Sequence, residues 1–220
     1  MSSFNLNWIN QFNVNKENLV IFDIGAHNFN DSINFKRNFP QSKVYAFEAD
    51  VFNYEKYGKN AENNGVIVVN MAVSDTDGEA MFYNSETLNG TEWTCSGSLM
   101  KPRVLEGTNE EVNHPGLLYN TEGKMTKTIK FETFCNEQKI VPNVLHIDVQ
   151  GAEKSVMSAI GNYRPEIIFA ETCEFDTYET NTNLQEFDEL MISLGYEIKQ
   201  RLLYDTLYIH KEKTYNPFAV

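Results

Sequence analysis

The order of apolar and polar segments along the chain constrains the fold most strongly. Five short runs rich in β-branched and aromatic residues alternate with segments of helical length. Such alternation favours a mainly parallel sheet covered by helices on both faces, with right-handed crossovers between strands. The predicted strands are Leu19–Ile24, Lys43–Ala49, Val66–Val73, Val144–Val149 and Glu166–Thr172.

Helical patterns lie between and after these strands. Residues 32–39 and 53–63 are predicted as two short helices, and residues 184–194 as an amphipathic helix with apolar side chains at three- and four-residue steps. Two further strands, joined tightly near Tyr204, predict that the chain closes as an antiparallel hairpin at one edge of the sheet.

The length of 220 residues fits a single domain spanning residues 1–220. One stretch, at about residues 84–126, departs from the strand and helix rhythm because it is rich in Asn, Thr, Glu, Ser and Gly. We predict a long irregular insertion there, which in a compact domain is usually functional or disordered.

The charge balance limits the classes of partner. Lys and Arg total 18 against 31 Asp and Glu, a formal charge of -13, which disfavours binding to nucleic acid phosphates. No apolar run approaches the length of a membrane-spanning helix, and the first twenty residues lack the pattern of a signal peptide. The three cysteines are widely spaced, which is typical of reduced thiols, and we expect a cytoplasmic protein without membrane insertion.

The loop after the first strand, "DIGAHNF", indicates what kind of ligand the sheet binds. Gly25 allows a sharp turn and a close backbone approach, but a pyrophosphate would need a second glycine where Phe29 stands. Asp23 repels phosphate. It can accept hydrogen bonds from an ammonium group or from a water molecule that is bound to the ammonium group. A dinucleotide is therefore disfavoured.

Glu48, at the end of the second strand, adds a second acid at the same edge of the sheet. A carboxylate there can accept hydrogen bonds from both hydroxyls of a ribose. A ligand with a ribose, an ammonium group and no phosphate is S-adenosylmethionine. Two alternatives stay open: a nicotinamide-dependent oxidoreductase, which would need the absent glycines, and a non-catalytic binding domain on the same core.

A resemblance to a known family supports the first hypothesis. "VIFDIGAH", "VYAFEAD", "NMAVSDTDGEAMFYN", "CSGSL" and "VLHIDVQGAEKSVMSAI" follow one another as in the FkbM family of S-adenosylmethionine-dependent O-methyltransferases. The resemblance implies a Rossmann-like class I methyltransferase fold: a seven-stranded, mostly parallel sheet with a C-terminal antiparallel hairpin. It also implies methyl transfer to a hydroxyl of a sugar or of a glycosylated or polyketide-like small molecule.

The chain departs from the family pattern D-x-G-A-N-x-G at two positions, with His27 in place of the asparagine and Phe29 in place of the second glycine. His27 is expected to bind the cofactor carboxylate, or alternatively to take a proton from the substrate. Gln150 stands where the family usually has Glu. The expected cofactor contacts are Asp23, Gly25, Ala26, His27, Glu48, Met71, Ala72, Ser74 and Asp148.

Asp148, which ends the fourth predicted strand, is the first candidate for the general base, followed by His27 and then by His114 on the insertion. The alternatives for Asp148 are binding the methionine ammonium, holding a metal, or capping the next helix. His146 is predicted to be a satisfied core histidine. The residues expected at the acceptor are Ser96, Ser98, Glu153 and Glu171.

A divalent cation is a further possibility at this edge. Asp148, Glu171 and Glu174 follow neighbouring strands and could together bind Mg²⁺ or Mn²⁺, which would acidify a sugar hydroxyl. The competing hypothesis is a metal-free site in which Asp148 orients the ammonium and Glu171 hydrogen-bonds the acceptor.

Overall fold

The structure is a computed structural model that describes residues 4–12, 14–172, 177–179 and 183–212. Its strands are, in chain order, β1 (Val20–Ile24), β2 (Lys43–Phe47), β3 (Ile67–Val69), β4 (Ala72–Ser74), β5 (Gly78–Phe82), β6 (Ser85–Leu88), β7 (Thr91–Glu92), β8 (Leu117–Tyr119), β9 (Lys124–Lys130), β10 (Val144–Ile147), β11 (Ile167–Glu171), β12 (Tyr196–Arg201) and β13 (Asp205–His210). Its helices are α1 (Trp8–Gln11), α2 (Asn30–Asn38), α3 (Val51–Asn63), α4 (Phe131–Gln138), α5 (Glu153–Ser158) and α6 (Leu184–Ser193).

The main sheet has seven strands in the order β12-β13-β11-β10-β1-β2-β3. The five strands from β11 to β3 are parallel, and β13 runs antiparallel to both β11 and β12. This confirms the predicted mostly parallel sheet with a C-terminal hairpin. The carboxyl ends of β1, β2 and β10 meet at one edge, where ligands of open parallel sheets bind.

Apolar residues on both faces of the sheet build the core. Along β1, Phe22 packs into a cluster with Phe134 of α4, whereas its neighbour Ile21 packs on the opposite face with Phe35 of α2. Successive side chains of a strand point to opposite faces, so a central strand covered by helices on both sides is apolar throughout. All five residues of β1 are buried for this reason, including Asp23.

The third predicted strand, Val66–Val73, is wrong as a single element. It divides into β3, which joins the main sheet, and β4, which pairs with β9 in a separate three-stranded sheet. At the break, the Asn70 side chain donates to the backbone carbonyl of Glu48 at 2.8 Å. A side chain that bonds to backbone in this way competes with the strand ladder.

The insertion at residues 84–126 contains more regular structure than its composition predicts. Strands β6, β7 and β8 form a three-stranded antiparallel sheet within it, and β9 begins at its end. Isolated bridges pair Tyr83 with Ser98 and Pro102 with Tyr178, which links the segment to β5 on one side and to the chain after β11 on the other.

Two smaller features complete the architecture. The N-terminal residues form the short helix α1, whose Trp8 and Ile9 are buried against the face of the sheet that carries Phe169. In the part of the chain that the structure describes, no helix is both long enough and apolar enough to cross a membrane.

Candidate active site

A pocket opens at the carboxyl ends of β1, β2 and β10, and residues 94–99 of the insertion close it from the opposite side. We call it the strand-end pocket and define it by six of its lining residues. These are Gly25, His27, Glu48, Met71, Thr94 and Asp148.

Gly25 brings the ends of β1 and β10 together. Its φ is +89°, and a Cβ at this position would lie 1.8 Å from the backbone oxygen of Asp148. The amides of Gly25 and Ala26 both donate to the carbonyl of Phe47, at 3.0 and 2.9 Å, which holds the loop against β2. A residue without a Cβ is therefore required here by the backbone that follows β10, whereas the sequence suggested that glycine allows a close approach to a ligand.

Phe29 explains how the loop keeps its path without a second glycine. Its φ is +61°, in the left-handed region that glycine favours, and its ring is fully buried on the face of the sheet that carries Ile21. The backbone therefore has the conformation suited to glycine, and the side chain points into the core. Phe29 is not among the described residues that line the pocket, so the expectation that it disfavours a pyrophosphate is not supported by the position of its ring.

His27 contributes to the pocket through both its backbone and its ring. Its amide donates to Glu48 Oε2 at 2.7 Å, and its Nε2 lies 3.1 Å from Thr94 Oγ1 of the insertion. Desolvation by burial lowers the pKa of His27, although the charges of Asp148 and Asp50 act in the opposite direction. The imidazole is consequently neutral near pH 7 and can either accept or donate a hydrogen bond.

Glu48 is 5% exposed and lines the pocket from the end of β2. Its two oxygens accept the amides of His27 and Asp50 at 2.7 and 2.8 Å. Burial raises the pKa of Glu48 to about 8, and the backbone donors offset this only in part. The carboxylate keeps lone pairs for additional donors, which a pair of vicinal hydroxyls can supply.

Asp148 is half-buried directly after β10, and its backbone amide donates to the carbonyl of Ile24 at 2.9 Å. Its Oδ1 accepts a hydrogen bond from Gln150 Nε2 at 2.7 Å, and the same nitrogen donates to Glu171 Oε2 at 2.5 Å. The structure thus links Asp148 and Glu171, as the sequence predicts, but through an amide group.

The three-ligand metal site is not supported. Across the described ranges, no group of three His, Cys, Asp or Glu side chains is placed to hold a metal ion. Glu174 lies outside the described residues, as does Cys173.

Asp23 corrects an expectation. Its carboxylate is 1% exposed, accepts a hydrogen bond from Ser32 Oγ, and pairs with His146 Nδ1 at 2.8 Å. Asp23 is not among the described residues that line the strand-end pocket, so the structure does not bring it to that pocket. His146 is buried and satisfied by this pair, as the sequence predicts.

The serines of the insertion bind protein backbone and indole groups. Ser98 is buried, and its Oγ donates to the carbonyl of Gln150 at 2.8 Å and accepts from the amide of Met100. Ser96 Oγ accepts from Trp93 Nε1, and its carbonyl accepts from Tyr178 Oη at 2.8 Å. Ser98 lines the pocket, yet both residues have structural partners where substrate contacts were expected.

Three other predicted site residues lie beside the pocket or away from it. Glu153 is 3% exposed and accepts the amides of Val149 and Gly151, so it shapes the loop that carries Gln150. Ser74 is buried with its Oγ 3.4 Å from Ser155 Oγ. His114 pairs with Glu111 in the insertion at 2.7 Å. None of the three is among the pocket-lining residues that the structure describes.

Some pocket residues were not predicted from the sequence. Phe82 of β5, Cys95 and Leu99 line the pocket beside Met71 and Ala72, which were predicted. The sequence signal for Phe82 is weak, because β5 belongs to the second sheet and pairs with β9, which lies more than 40 residues later in the chain. Burial raises the pKa of the Cys95 thiol, which keeps it protonated.

The shape and polarity of the pocket fit S-adenosylmethionine. The walls formed by Phe47, Met71 and Phe82 can cover an adenine, Glu48 can accept ribose hydroxyls, and Asp148 can accept from an ammonium group. Among the described lining residues there is no Lys or Arg to neutralise a pyrophosphate, which argues against a dinucleotide.

Comparison with curated proteins identifies a relative of known activity. The chain is 25% identical over 186 residues to the 2-O-methyltransferase NoeI of Sinorhizobium fredii, covering 81% of this chain and 73% of that protein.

Solved structures resemble the chain at low identity. PKMT2 from Rickettsia typhi superposes with a TM-score of 0.50 at 10% identity, covering 98% of this chain and 54% of that one. M. capricolum TrmK, solved with S-adenosyl-homocysteine, gives a TM-score of 0.46 at 13% identity, covering 99% and 72%. At such identities the PKMT2 likeness shows the fold alone.

The methyltransferase FkbM domain model matches residues 23–198, from the loop-bearing end of β1 into β12. That range includes the whole strand-end pocket and most of the chain, and the match supports a methyltransferase over the oxidoreductase and the non-catalytic alternatives. The chain belongs to the FkbM methyltransferase family and is an S-adenosylmethionine-dependent methyltransferase.

Proposed function

We propose that this protein is an O-methyltransferase that modifies a hydroxyl of a sugar or of a glycosylated small molecule. The observation that carries the proposal is the half-buried carboxylate of Asp148 in a pocket closed by a polar insertion. The similarity to a protein named as a 2-O-methyltransferase supports transfer to oxygen. The net charge of -13 disfavours a nucleic acid acceptor.

Two groups would hold the cofactor. Glu48 accepts the ribose hydroxyls, since its oxygens face the pocket while its backbone partners fix its orientation. His27 binds the carboxylate of the cofactor's methionine part through a ring N–H. Thr94 Oγ1 contacts the ring at Nε2. Once bound, S-adenosylmethionine supplies an electrophilic methyl group on a sulfonium.

The protein's remaining tasks are alignment, exclusion of water and removal of one proton. Residues 94–99 cover the pocket and exclude water. One oxygen of Asp148 is held by Gln150, and we assign the other to the acceptor hydroxyl, whose proton it takes as the oxygen becomes a nucleophile. Positioning supplies most of the rate, because methyl displacement needs little covalent chemistry from side chains.

The acceptor class is tested with methyl-labelled cofactor and a panel of oligosaccharides, glycolipids, RNA and protein. We expect label in the glycans, as a methyl ether that survives mild alkali, unlike a carboxyl methyl ester. Label in RNA or protein with none in glycans would overturn the proposal. Heat-denatured enzyme serves as the blank.

The cofactor assignment is tested separately by calorimetry with S-adenosyl-homocysteine. Glu48→Ala should weaken binding by about 1 to 3 kcal/mol, the range for losing hydrogen bonds to a charged group. Glu62→Ala, at the exposed end of helix α3, is the control for loss of a carboxylate and should bind normally.

A second readout uses protons. Hydroxyl donors stabilise the ionised form of Glu48, so binding near pH 7 should release protons in the parent protein but not in Glu48→Ala. Unchanged affinity and unchanged proton release in the variant would remove Glu48 from the site.

A further inference from the structure

We propose that Gln150 is a positioning residue that holds Asp148 and Glu171 as a fixed pair, so that the acceptor side of the pocket functions without a divalent cation. The inference rests on the proposed role of Asp148 at the acceptor hydroxyl.

A single nitrogen joins the two carboxylates. Gln150 Nε2 donates to Asp148 Oδ1 at 2.7 Å and to Glu171 Oε2 at 2.5 Å. Both partners are acceptors when ionised, so only the NH₂ end of the amide can face them. The two N–H groups of the amide are thereby both used, one for each carboxylate.

The backbone around Gln150 places its side chain there. Its φ is +55°, and the following Gly151 has a φ of +95°, so the chain makes a left-handed turn after Val149. Ser98 Oγ donates to the carbonyl of Gln150 at 2.8 Å. The insertion that covers the pocket therefore also fixes this turn.

The amide performs the task that a cation would otherwise have. Two carboxylates held close together repel each other and favour protonation of one of them, unless donors or a cation stand between them. Gln150 supplies two donors without charge and occupies the position between the oxygens. A cation would have to displace it.

The same geometry shows how to create a cation site. Gln150→Glu keeps the side-chain length but brings a third carboxylate to Asp148 and Glu171, and oxygen ligands of this kind are those that Mn²⁺ prefers. Gln150→Met has similar length with no donor. Gln138→Glu adds the same charge at an exposed position at the end of α4 and is the matched control.

The first test is titration with Mn²⁺, in which binding is measured as the loss of the electron paramagnetic resonance signal of free Mn²⁺. We expect the parent protein and Gln138→Glu to show only weak binding, and Gln150→Glu to bind one ion at least tenfold more tightly. Stoichiometric binding by the parent that Glu171→Gln removes would overturn the proposal. Equal binding by Gln150→Glu and Gln138→Glu would also overturn it.

The second test is methyl transfer in the presence of chelator. The parent should keep full turnover, and Gln150→Met should lose at least tenfold in kcat with little change in the KM for cofactor, since the cofactor contacts stay in place. Unchanged kcat in a folded Gln150→Met would refute the positioning role. The Mn²⁺ titration needs no acceptor, so it tests this inference even if the proposed acceptor class is wrong. If Gln150→Glu does not fold, the parent and Gln150→Met still test it.

Discussion

Asp23 lies inside β1 and Asp148 directly follows the neighbouring strand β10, and the structure gives the two acids opposite surroundings. Asp23 is 1% exposed and satisfied by Ser32 and His146 inside the core. Asp148 is half-buried, and its carboxylate faces the pocket with Gln150 as its partner. The residue type is the same, but the register pairs Asp23 with His146, two residues before Asp148, so the difference comes from how far along its strand each side chain lies.

The comparison teaches which observation separates a structural acid from a functional one. A buried acid whose oxygens are paired within the core stabilises the fold, and removing one partner leaves an uncompensated group. An acid with solvent access and only one oxygen held by the protein can bind a substrate with its other oxygen. Substitutions at the two positions should therefore affect different measurements.

The largest effect is expected where the two strand ends touch. Gly25→Ala places a methyl group 1.8 Å from the carbonyl oxygen of Asp148, so β10 must move away from β1. We expect a loss of more than about 4 kcal/mol in the free energy of unfolding, measured by urea denaturation. Gly90→Ala is the control, because Gly90 has a similar φ of +75° and open space around it. It should lose only about 1 to 2 kcal/mol, and equal losses in both variants would show that the contact is unimportant.

Asp148→Asn should lower kcat by about 100-fold to 10,000-fold, the range for a positioned acid or base, while the melting temperature changes little. The measurement is steady-state methyl transfer with a cognate glycan acceptor. If kcat stays within a factor of three in the folded variant, Asp148 is not the group that takes the proton.

Asp23→Asn should show the reverse pattern, with a loss of about 3 to 5 kcal/mol in the free energy of unfolding and near-normal kcat for the folded fraction. The reason is that His146 loses its charged partner inside the core. Asp75→Asn, at an exposed position, is the control and should be neutral within about 0.5 kcal/mol. Normal stability with impaired cofactor binding would instead return Asp23 to the cofactor site.

The smallest effect is a dependence of stability on pH. Burial lowers the pKa of His146, but the hydrogen bond and charge of Asp23 outweigh it and raise the pKa to about 9. A histidine with a raised pKa contributes stability that is fully present below its unfolded pKa near 6.5 and is lost as the pH rises through about 9. The free energy of unfolding should fall over this window, and the slope should be smaller in Asp23→Asn. An identical slope in both proteins would contradict the pairing.

Much of the fold was predictable because apolar runs mark the central strands. Val20–Ile24 and Ile167–Glu171 agree with prediction within about two residues, since parallel strands buried on both faces are apolar throughout. The same property explains the error at Asp23. With every neighbour apolar, the pattern does not reveal that Asp23 lies inside the strand, two residues short of the level of Asp148.

The insertion shows a second limit. Its strands β6 to β8 are short and polar, so they depend on pairing with distant segments that a sequence pattern does not reveal. Ser98 illustrates this at the level of a single residue. Its hydroxyl looked available for substrate, whereas the folded chain places the carbonyl of Gln150 next to it.

Phe29 has a consequence for how such loops evolve. Its left-handed backbone is maintained although the residue is not glycine, and the buried ring adds contacts that a glycine lacks. A substitution of Phe for Gly at this position therefore gains apolar contacts and loses the freedom of glycine to adopt a positive φ. The loop conformation can be kept although the glycine of the sequence motif is absent. Motif searches that demand both glycines would pass over chains of this kind, although the main chain at Phe29 has the conformation that glycine favours.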